Sequence, residues 1–315
     1  MLLSCANNNK NNTSNLQNQA VVAPAFNADS AYLFIRQQIQ FGPRVPNTPP
    51  HIACGNYLID QLKRFGATMF VQEMTLQAYN GAKLDARNIV GSFNPDNPQR
   101  ILLFAHWDTR PYADRDANHA QQRQPIDGAD DGASGVGVLL EIARLIRQQP
   151  PHIGIDIIFF DAEDYGVPNF ETTLTDNHSW CLGSQFWARN PHKLNYRAQY
   201  GILLDMVGAR NATFLREQTS ANSAPDLLDK VWNTARDLGY GKYFVNQKGG
   251  NITDDHQYVI AGRKIPCIDI INYDTNTDAG FAPHWHTHND NINIINHETL
   301  KAVGQTVLEV IYSTP

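Results

Sequence analysis

The sequence predicts an α/β fold: a single domain with a mostly parallel, twisted central sheet and helices on both of its faces. Two observations support this prediction. From residue 100 onward, short continuous apolar runs alternate with segments that have the apolar spacing of amphipathic helices, a pattern typical of parallel strands buried on both faces. The chain of 315 residues is also 42% hydrophobic, which is enough to build one large core.

Two helices and two extended segments are expected before residue 100. The helices come first and the extended segments follow, at 29–40, 50–65, 67–77 and 87–93. Gly42 and Pro43 end the first helix, and the Tyr79-Asn80-Gly81 turn separates the extended segments. We expect the folded part of the chain to begin near Phe26.

Strands and helices alternate in the rest of the chain. Buried strands are expected at 101–105, 155–160, 200–204 and 265–271. Helices are expected at 134–149, 181–189, 224–239 and 297–312. Polar groups stand where three of the strands end: His106, the run 161–164 and Asp205. Because sites in such sheets lie beyond the carboxyl ends of the strands, we expect these groups to form one site.

Composition argues against several classes of partner and site. The net charge is −6 and the chain has no basic block, so nucleic acid is not expected as a partner. No apolar stretch approaches the roughly 18 residues of a membrane span. The four cysteines include no Cys-x-x-Cys, which argues against a thiolate zinc site. A disulfide between Cys54 and Cys181 remains open at this stage.

The strand at 155–160 leads directly into three carboxylates, Asp161, Glu163 and Asp164. Side chains of neighbouring residues point in different directions. Adjacent Glu163 and Asp164 can therefore serve different partners, one a metal and the other a substrate proton. The alternative is a solvated acidic loop.

A second acidic pair, Asp130 and Asp131, precedes the helix at 134–149 within a glycine-rich segment. A helix N-terminus favours negative charge. Capping explains one of the two acids but not the glycine-rich setting. Which acid has the functional role cannot be told from their order.

Three histidines, His284, His286 and His288, fall within five residues around Trp285. This cluster is better explained by a metal ligand beside a pocket wall than by isolated structural histidines. The spacing does not say which histidine binds. Trp180 and Trp187 are at near-helical spacing, and we expect them to pack rather than to contact substrate.

One aspartate, a second acidic residue and one histidine, each from a different strand end, form an oxygen and nitrogen set suited to zinc. Three protein ligands leave a fourth position open, as in catalytic zinc sites. Glu163 would then be the natural general acid and base.

Four segments of the chain, taken together, resemble the zinc aminopeptidase fold with co-catalytic metals. The segments that carry this resemblance are 105–108, 128–135, 161–164 and His286-Thr287. Within that superfamily, the chain is similar to the bacterial branch of the animal-type glutaminyl-peptide cyclotransferases. This closer similarity rests on 203–209, Asp254-Asp255-His256 and Trp285-His286-Thr287. The resemblance covers roughly residues 27–313.

The resemblance implies one Zn²⁺ per chain, bound by Asp131, Asp164 and His286. Asp164 departs from the glutamate that is usual at this position in the animal enzymes. The implied reaction converts the N-terminal glutamine of peptides or proteins to pyroglutamate and releases ammonia.

The resemblance also implies roles for residues that do not bind the metal. Glu163 would transfer the proton, and Asp205 and Asp254 would form a hydrogen-bonded carboxylate network with it. Trp285 would form a wall of the pocket. Asp254 stands where peptidases of this fold often have serine, which favours the cyclase.

Two alternatives remain open. A two-zinc aminopeptidase on the same fold would use His106 and Asp205 as additional ligands, with Asp131 bridging and Glu163 activating water. The number of bound ions would distinguish the two enzymes. A catalytically inactive surface binding protein is the remote third possibility, since fold alone does not determine function.

The first residues suggest a lipid anchor. Leu2-Leu3-Ser4-Cys5 resembles a bacterial lipobox, and a polar, asparagine-rich segment follows it. We expect residues 1–25 to be an anchor at Cys5 and a tether, and 26–315 to be a single zinc-dependent catalytic domain. The expected location is the periplasmic side of a bacterial cell envelope, and a monomer is expected. The alternative is a chance match on a polar tail.

Overall fold

The computed structural model describes residues 22–174 and 178–315. Its helices are α1 (Ala28–Ile39), α2 (Pro49–Arg64), α3 (Ala133–Gln148), α4 (Leu182–Arg189), α5 (Gln218–Ser223), α6 (Pro225–Asp237), α7 (Asp255–Arg263) and α8 (His297–Tyr312). Its strands are β1 (Thr68–Gln77), β2 (Lys83–Phe93), β3 (Arg100–His106), β4 (Gly154–Phe160), β5 (Gly201–Asp205), β6 (Phe214–Arg216), β7 (Phe244–Lys248) and β8 (Cys267–Ile271). Cys5 lies outside the described residues, so the lipid anchor stays a prediction.

Six strands form the central sheet in the order β1-β2-β4-β3-β5-β8. The four strands β4, β3, β5 and β8 are parallel to one another. The hairpin β1–β2 is antiparallel and joins the sheet through an antiparallel pairing of β2 with β4. The predicted α/β fold with a mostly parallel sheet is confirmed.

Helices cover both faces of the sheet, and the alternation of side chains along β3 and β4 shows it. Leu103 and Ile157 belong to the large core cluster that also contains α1, α3, α6 and α8. Phe104 and Ile158 belong to the opposite cluster, with Trp187 of α4. The parallel strands read as continuous apolar runs because they are buried on both faces.

The start of α3 lies directly against the end of β5. Gly135 makes this approach possible, because a Cβ atom at this position would lie 2.1 Å from the carbonyl oxygen of Leu204. Gly132 precedes the helix with φ +86°, a conformation that strongly favours glycine. These two glycines bring the segment containing Asp131 to the carboxyl ends of the strands.

Some elements were not predicted. Strand β6 has three residues, too few for a periodic pattern, and it pairs with β7 in a separate two-stranded sheet. Helix α7 begins with buried acidic and histidine side chains rather than apolar ones. The open question of a disulfide is answered, since Cys54 and Cys181 are free, buried thiols. Within the described ranges, no helix has the length and apolar character to cross a membrane.

Candidate active site

A cavity of about 520 Å³ lies beyond the carboxyl ends of the parallel strands. Seven of the site residues that were predicted from the sequence line this cavity. They are Asp131, Glu163, Asp164, Asp205, Asp254, Trp285 and His286. His106, at the end of β3, is buried behind Asp131 and Asp205. Side chains that are distant in sequence therefore converge at the edge where the strand ends predicted a site.

Several non-glycine residues at this edge have left-handed backbone conformations. They are Ala162, Cys181, Met206 and His286, with φ between +47° and +57°. Such conformations are uncommon for residues that carry a Cβ atom, and they cluster at functional sites. Ala162 and Met206 follow strand ends, Cys181 precedes α4, and His286 lies in the loop after β8.

Two groups of buried side chains that share Asp131 could bind a metal ion, and we call each of them a donor set. Asp131, Asp164 and His286 form the first donor set. Their ligand atoms lie within 4.8 Å of one another, and all three residues are buried. His286 Nε2 is 3.1 Å from Asp164 Oδ1 and 3.7 Å from Asp131 Oδ2. Asp164 Oδ2 is buried without a hydrogen-bond partner. A buried, unpaired carboxylate oxygen beside an imidazole nitrogen fits a divalent cation such as zinc.

His106, Asp131 and Asp205 form the second donor set. His106 Nε2 lies 3.0 Å from Asp131 Oδ1 and 3.2 Å from Asp205 Oδ1. The two carboxylate oxygens of Asp131 thus face different sets. This is the geometry that a bridging carboxylate between two ions would have.

Charged side chains around the first donor set support it, and they were not predicted from the sequence as site residues. Asp114 Oδ1 lies 3.4 Å from His286 Nδ1, on the side of the ring away from the donor set. Arg110 donates two hydrogen bonds to Asp114, and a third to the backbone oxygen of Asp164. Asp108 accepts the backbone N–H groups of both Glu163 and Asp164. These contacts fix the orientation of the donor side chains.

The structure distinguishes the adjacent acids Asp130 and Asp131. Asp130 accepts the backbone N–H groups of Gly208 and Ala209, and its other oxygen is 2.9 Å from His284 Nε2. Its carboxylate is therefore occupied by the protein. Of the three clustered histidines, His286 faces the donor set, whereas His284 pairs with Asp130 and the partly exposed His288 pairs with Asp116.

The acids of the cavity sit in an environment that favours protonation. Burial raises the pKa of Glu163 well above its usual range, and the charges on Asp254 and Asp164 act in the same direction. Burial also raises the pKa of Asp205 to about 7 and the pKa of Asp254 well above its usual range. These shifts favour the protonated form of each acid.

Aromatic side chains form the walls beside the first donor set. Trp285 stacks on the His286 ring with 3.8 Å between ring centroids, and Phe281 lies 4.6 Å from Trp285. Trp180 also lines the cavity, nearly parallel to the His286 ring at 5.9 Å. Trp180 also packs, as expected, since the Arg110 guanidinium lies 4.5 Å from its ring centroid. Trp187 does lie in the core, as expected.

The model of peptidase family M28 matches residues 88–311, which is well over half of the chain. The chain belongs to peptidase family M28. The matched region runs from β2 to α8 and includes both donor sets.

Two solved structures are similar to this M28 chain over most of its length. A Zn-dependent exopeptidase from Parabacteroides distasonis is 64% identical with a TM-score of 0.92, and the match covers 93% of this chain and 100% of that one. The glutaminyl cyclase of Tannerella forsythia is 61% identical with a TM-score of 0.91, at the same coverage. The resemblance predicted from the motifs is confirmed.

A more distant relative has another activity in its name. Aminopeptidase YwaD from Bacillus subtilis is 26% identical over 250 residues, or 76% of this chain. This chain spans about half of that protein, 47% of its length. Proteins similar to this M28 chain thus include both a named cyclase and named peptidases, so family membership alone does not determine the reaction.

Proposed function

We propose that this chain is a zinc-dependent glutaminyl-peptide cyclotransferase, which converts N-terminal glutamine of peptides or proteins to pyroglutamate and releases ammonia. The observation that carries the proposal is the meeting of Glu163, Asp205 and Asp254 beside the first donor set in one cavity. These groups can hold a substrate amide and move its protons without a water nucleophile. The likeness to a glutaminyl cyclase at 61% identity supports the same reaction.

One zinc ion per chain, held by Asp131, Asp164 and His286, belongs to this proposal. When bound there, zinc would act as a Lewis acid toward the side-chain carbonyl of the substrate glutamine. The unpaired Asp164 Oδ2 and the support of His286 by Asp114 favour this set as the site of that ion.

Glu163 carries the proton from one substrate nitrogen to the other. The α-amine of the substrate forms a bond with the carbon of its own side-chain amide and closes a five-membered ring. Glu163 accepts a proton from the amine and delivers it to the amide nitrogen, which leaves as ammonia when its carbon–nitrogen bond breaks. Its raised pKa favours the first of these steps, the uptake of the proton from the amine.

Asp205 and Asp254 position the substrate and Glu163. Both line the cavity, and an acid with a raised pKa can donate a hydrogen bond as well as accept one. Trp285 and Trp180 present flat apolar walls that exclude water from the glutamine side chain. Since the nucleophile is already part of the substrate, orientation supplies much of the rate enhancement.

A two-zinc aminopeptidase is the second candidate, and the second donor set favours it. His106 and Asp205 would provide the additional ligands, Asp131 would bridge the ions, and Glu163 would activate a water molecule. The two proposals differ in metal content and in product. The peptidase binds two ions and releases an amino acid, whereas the cyclase binds one and releases ammonia.

A side-by-side assay tests the proposal. We expect a glutaminyl peptide to lose ammonia, measured by mass spectrometry and by ammonia detection. The same peptide with an acetylated α-amine should be inert, because it lacks the nucleophile. A chelator should abolish turnover and added zinc should restore it. Release of free amino acids from leucyl or alanyl reporters, with no ammonia from the glutaminyl peptide, would instead support the aminopeptidase.

We also propose that the protein is a lipid-anchored monomer on the periplasmic side of a bacterial cell envelope. The lipobox-like Leu2-Leu3-Ser4-Cys5 and the polar residues 6–15 support this proposal. Cys5→Ala should abolish incorporation of a labelled fatty acid and move the protein out of the membrane fraction. An unlabelled wild-type protein would contradict the anchor, and a dimeric mass by light scattering would contradict the monomer.

A further inference from the structure

The thiol of Cys181 contacts the carboxylate of Glu163. Cys181 Sγ donates a hydrogen bond to Glu163 Oε1 over 3.0 Å, at a buried contact. We propose that Cys181 is a positioning residue, whose thiol holds one oxygen of Glu163 and leaves the other to handle the substrate proton. This inference rests on the proposed function, because it assigns Cys181 a role through Glu163.

The backbone around Cys181 fixes the thiol in place. Cys181 N–H donates to the backbone oxygen of Glu163 over 2.8 Å, and Leu182 N–H donates to that of Ala162 over 3.0 Å. Cys181 itself has a left-handed conformation, with φ +57°, immediately before α4. These bonds join the start of α4 to the turn after β4 and hold the thiol beside the carboxylate.

Close packing around Gly183 allows this docking. A Cβ atom on Gly183 would lie 2.2 Å from the backbone oxygen of Asp161 and 2.6 Å from Asn88 Oδ1. Ser184 Oγ donates to the backbone oxygen of Cys181 over 3.1 Å, which further fixes the residue. The segment from Cys181 to Ser184 therefore has little freedom to shift away from Glu163.

The surroundings keep the thiol in its donor form. Burial raises the pKa of Cys181 well above its usual range, and the negative charges of Glu163 and Asp255 act in the same direction. A neutral thiol has one proton to donate, and its acceptor is the Glu163 carboxylate. Cys181 is therefore a hydrogen-bond donor rather than a nucleophile.

Several of the charged groups around Glu163 repel its carboxylate. Asp164 follows it directly, and Asp254 and Asp255 approach from the start of α7. The cations His106 and Arg110 act on it with the opposite sign. Electrostatic repulsion from these aspartates displaces the Glu163 carboxylate unless a hydrogen-bond donor restrains it. Proton transfer depends on the carboxylate oxygen staying within hydrogen-bond reach of the substrate, so this restraint bears directly on turnover.

The test compares Cys181→Ala and Cys181→Ser with Cys267→Ala. Cys267 is a matched control, since its buried thiol lies in β8 and donates to the backbone oxygen of Ile265. We expect Cys181→Ala to lower kcat roughly tenfold, about the effect of losing one hydrogen bond to a charged group, with KM within about twofold of the wild-type value. Cys181→Ser should recover most of kcat because its hydroxyl restores a donor. Cys267→Ala should retain the wild-type kcat per folded, zinc-loaded chain.

The S–H stretching band gives a readout that does not depend on turnover. The infrared difference between wild type and Cys181→Ala should show a band at low frequency, as expected for a thiol bonded to a carboxylate. In Glu163→Gln the same band should move to higher frequency, because a neutral amide oxygen accepts a weaker hydrogen bond. A band that is unchanged by Glu163→Gln would overturn the contact.

The outcomes separate this inference from the proposed function. If the wild-type protein cyclises glutaminyl peptides and folded Cys181→Ala does so with the same kcat, the positioning role is wrong. If Cys181→Ala does not fold, the kcat of Cys181→Ser decides the question, and Cys181→Ser replaces it as the thiol-free reference for the infrared difference. A wild-type protein that forms no pyroglutamate would overturn the proposed function, whereas the infrared band would still report on the contact.

Discussion

Replacing Glu163 with glutamine is expected to lower kcat by about 10²–10⁴-fold, the usual contribution of a positioned acid–base group, while zinc stays bound. Glutamine matches glutamate in size, but its amide does not take up a proton at neutral pH. The ion keeps its ligands because Glu163 is outside the first donor set. Turnover of a glutaminyl peptide and zinc content should be measured on the same preparation.

Glu171→Gln is the matched control for this substitution. It makes the same chemical change on a surface loop, where Glu171 hydrogen-bonds to Thr173. We expect it to keep wild-type kcat and zinc content. Near-normal turnover by Glu163→Gln would mean that another group transfers the proton. Loss of zinc from this variant would mean that Glu163 is itself a ligand.

The position of the site could be predicted because it follows from the strands. The parallel strands are buried on both faces, so their apolar runs are continuous and their ends are easy to recognise. His106 and Asp205 are the last residues of β3 and β5, and Glu163 and Asp164 follow β4 by a short turn. Parallel strands place all these ends at one edge, so pattern alone predicts that they meet.

The groups that support the donors could not be predicted from the same pattern. Arg110 and Asp114 lie in the long segment between β3 and α3, which has no helical or strand period. In sequence, their charges look like those of a solvated loop. Folding buries both residues, and only the resulting contacts with Asp164 and His286 reveal what they do.

Adjacent acids show a second limit of sequence reasoning. Asp130 and Asp131 have the same chemistry and the same neighbours in the chain. They differ because the segment after β5 supplies backbone N–H groups to Asp130, whereas Asp131 lines the cavity. That difference comes from a part of the chain more than 70 residues away, so no local pattern contains it.

His286→Ala should remove both zinc and turnover. His286 is the nitrogen donor of the first set, and its loss would leave Asp131 and Asp164 as two neighbouring buried carboxylates without an imidazole. We expect zinc affinity to fall well beyond the about 10–100-fold that is typical when a group that only orients a ligand is removed. Chelator competition and metal analysis measure this loss directly, independently of activity.

The zinc content of His106→Gln is needed to interpret the zinc content of His286→Ala. With a single ion in the first donor set, the wild type and His106→Gln each hold one zinc per chain, and His286→Ala holds none. With two ions bridged by Asp131, the wild type holds two, and each substitution weakens a different ion. His106 and His286 both contact the side chain of Asp131, so both substitutions disturb the same carboxylate. A difference in their zinc content therefore arises from which imidazole binds the ion, and two ions in the wild type would refute the one-zinc assignment.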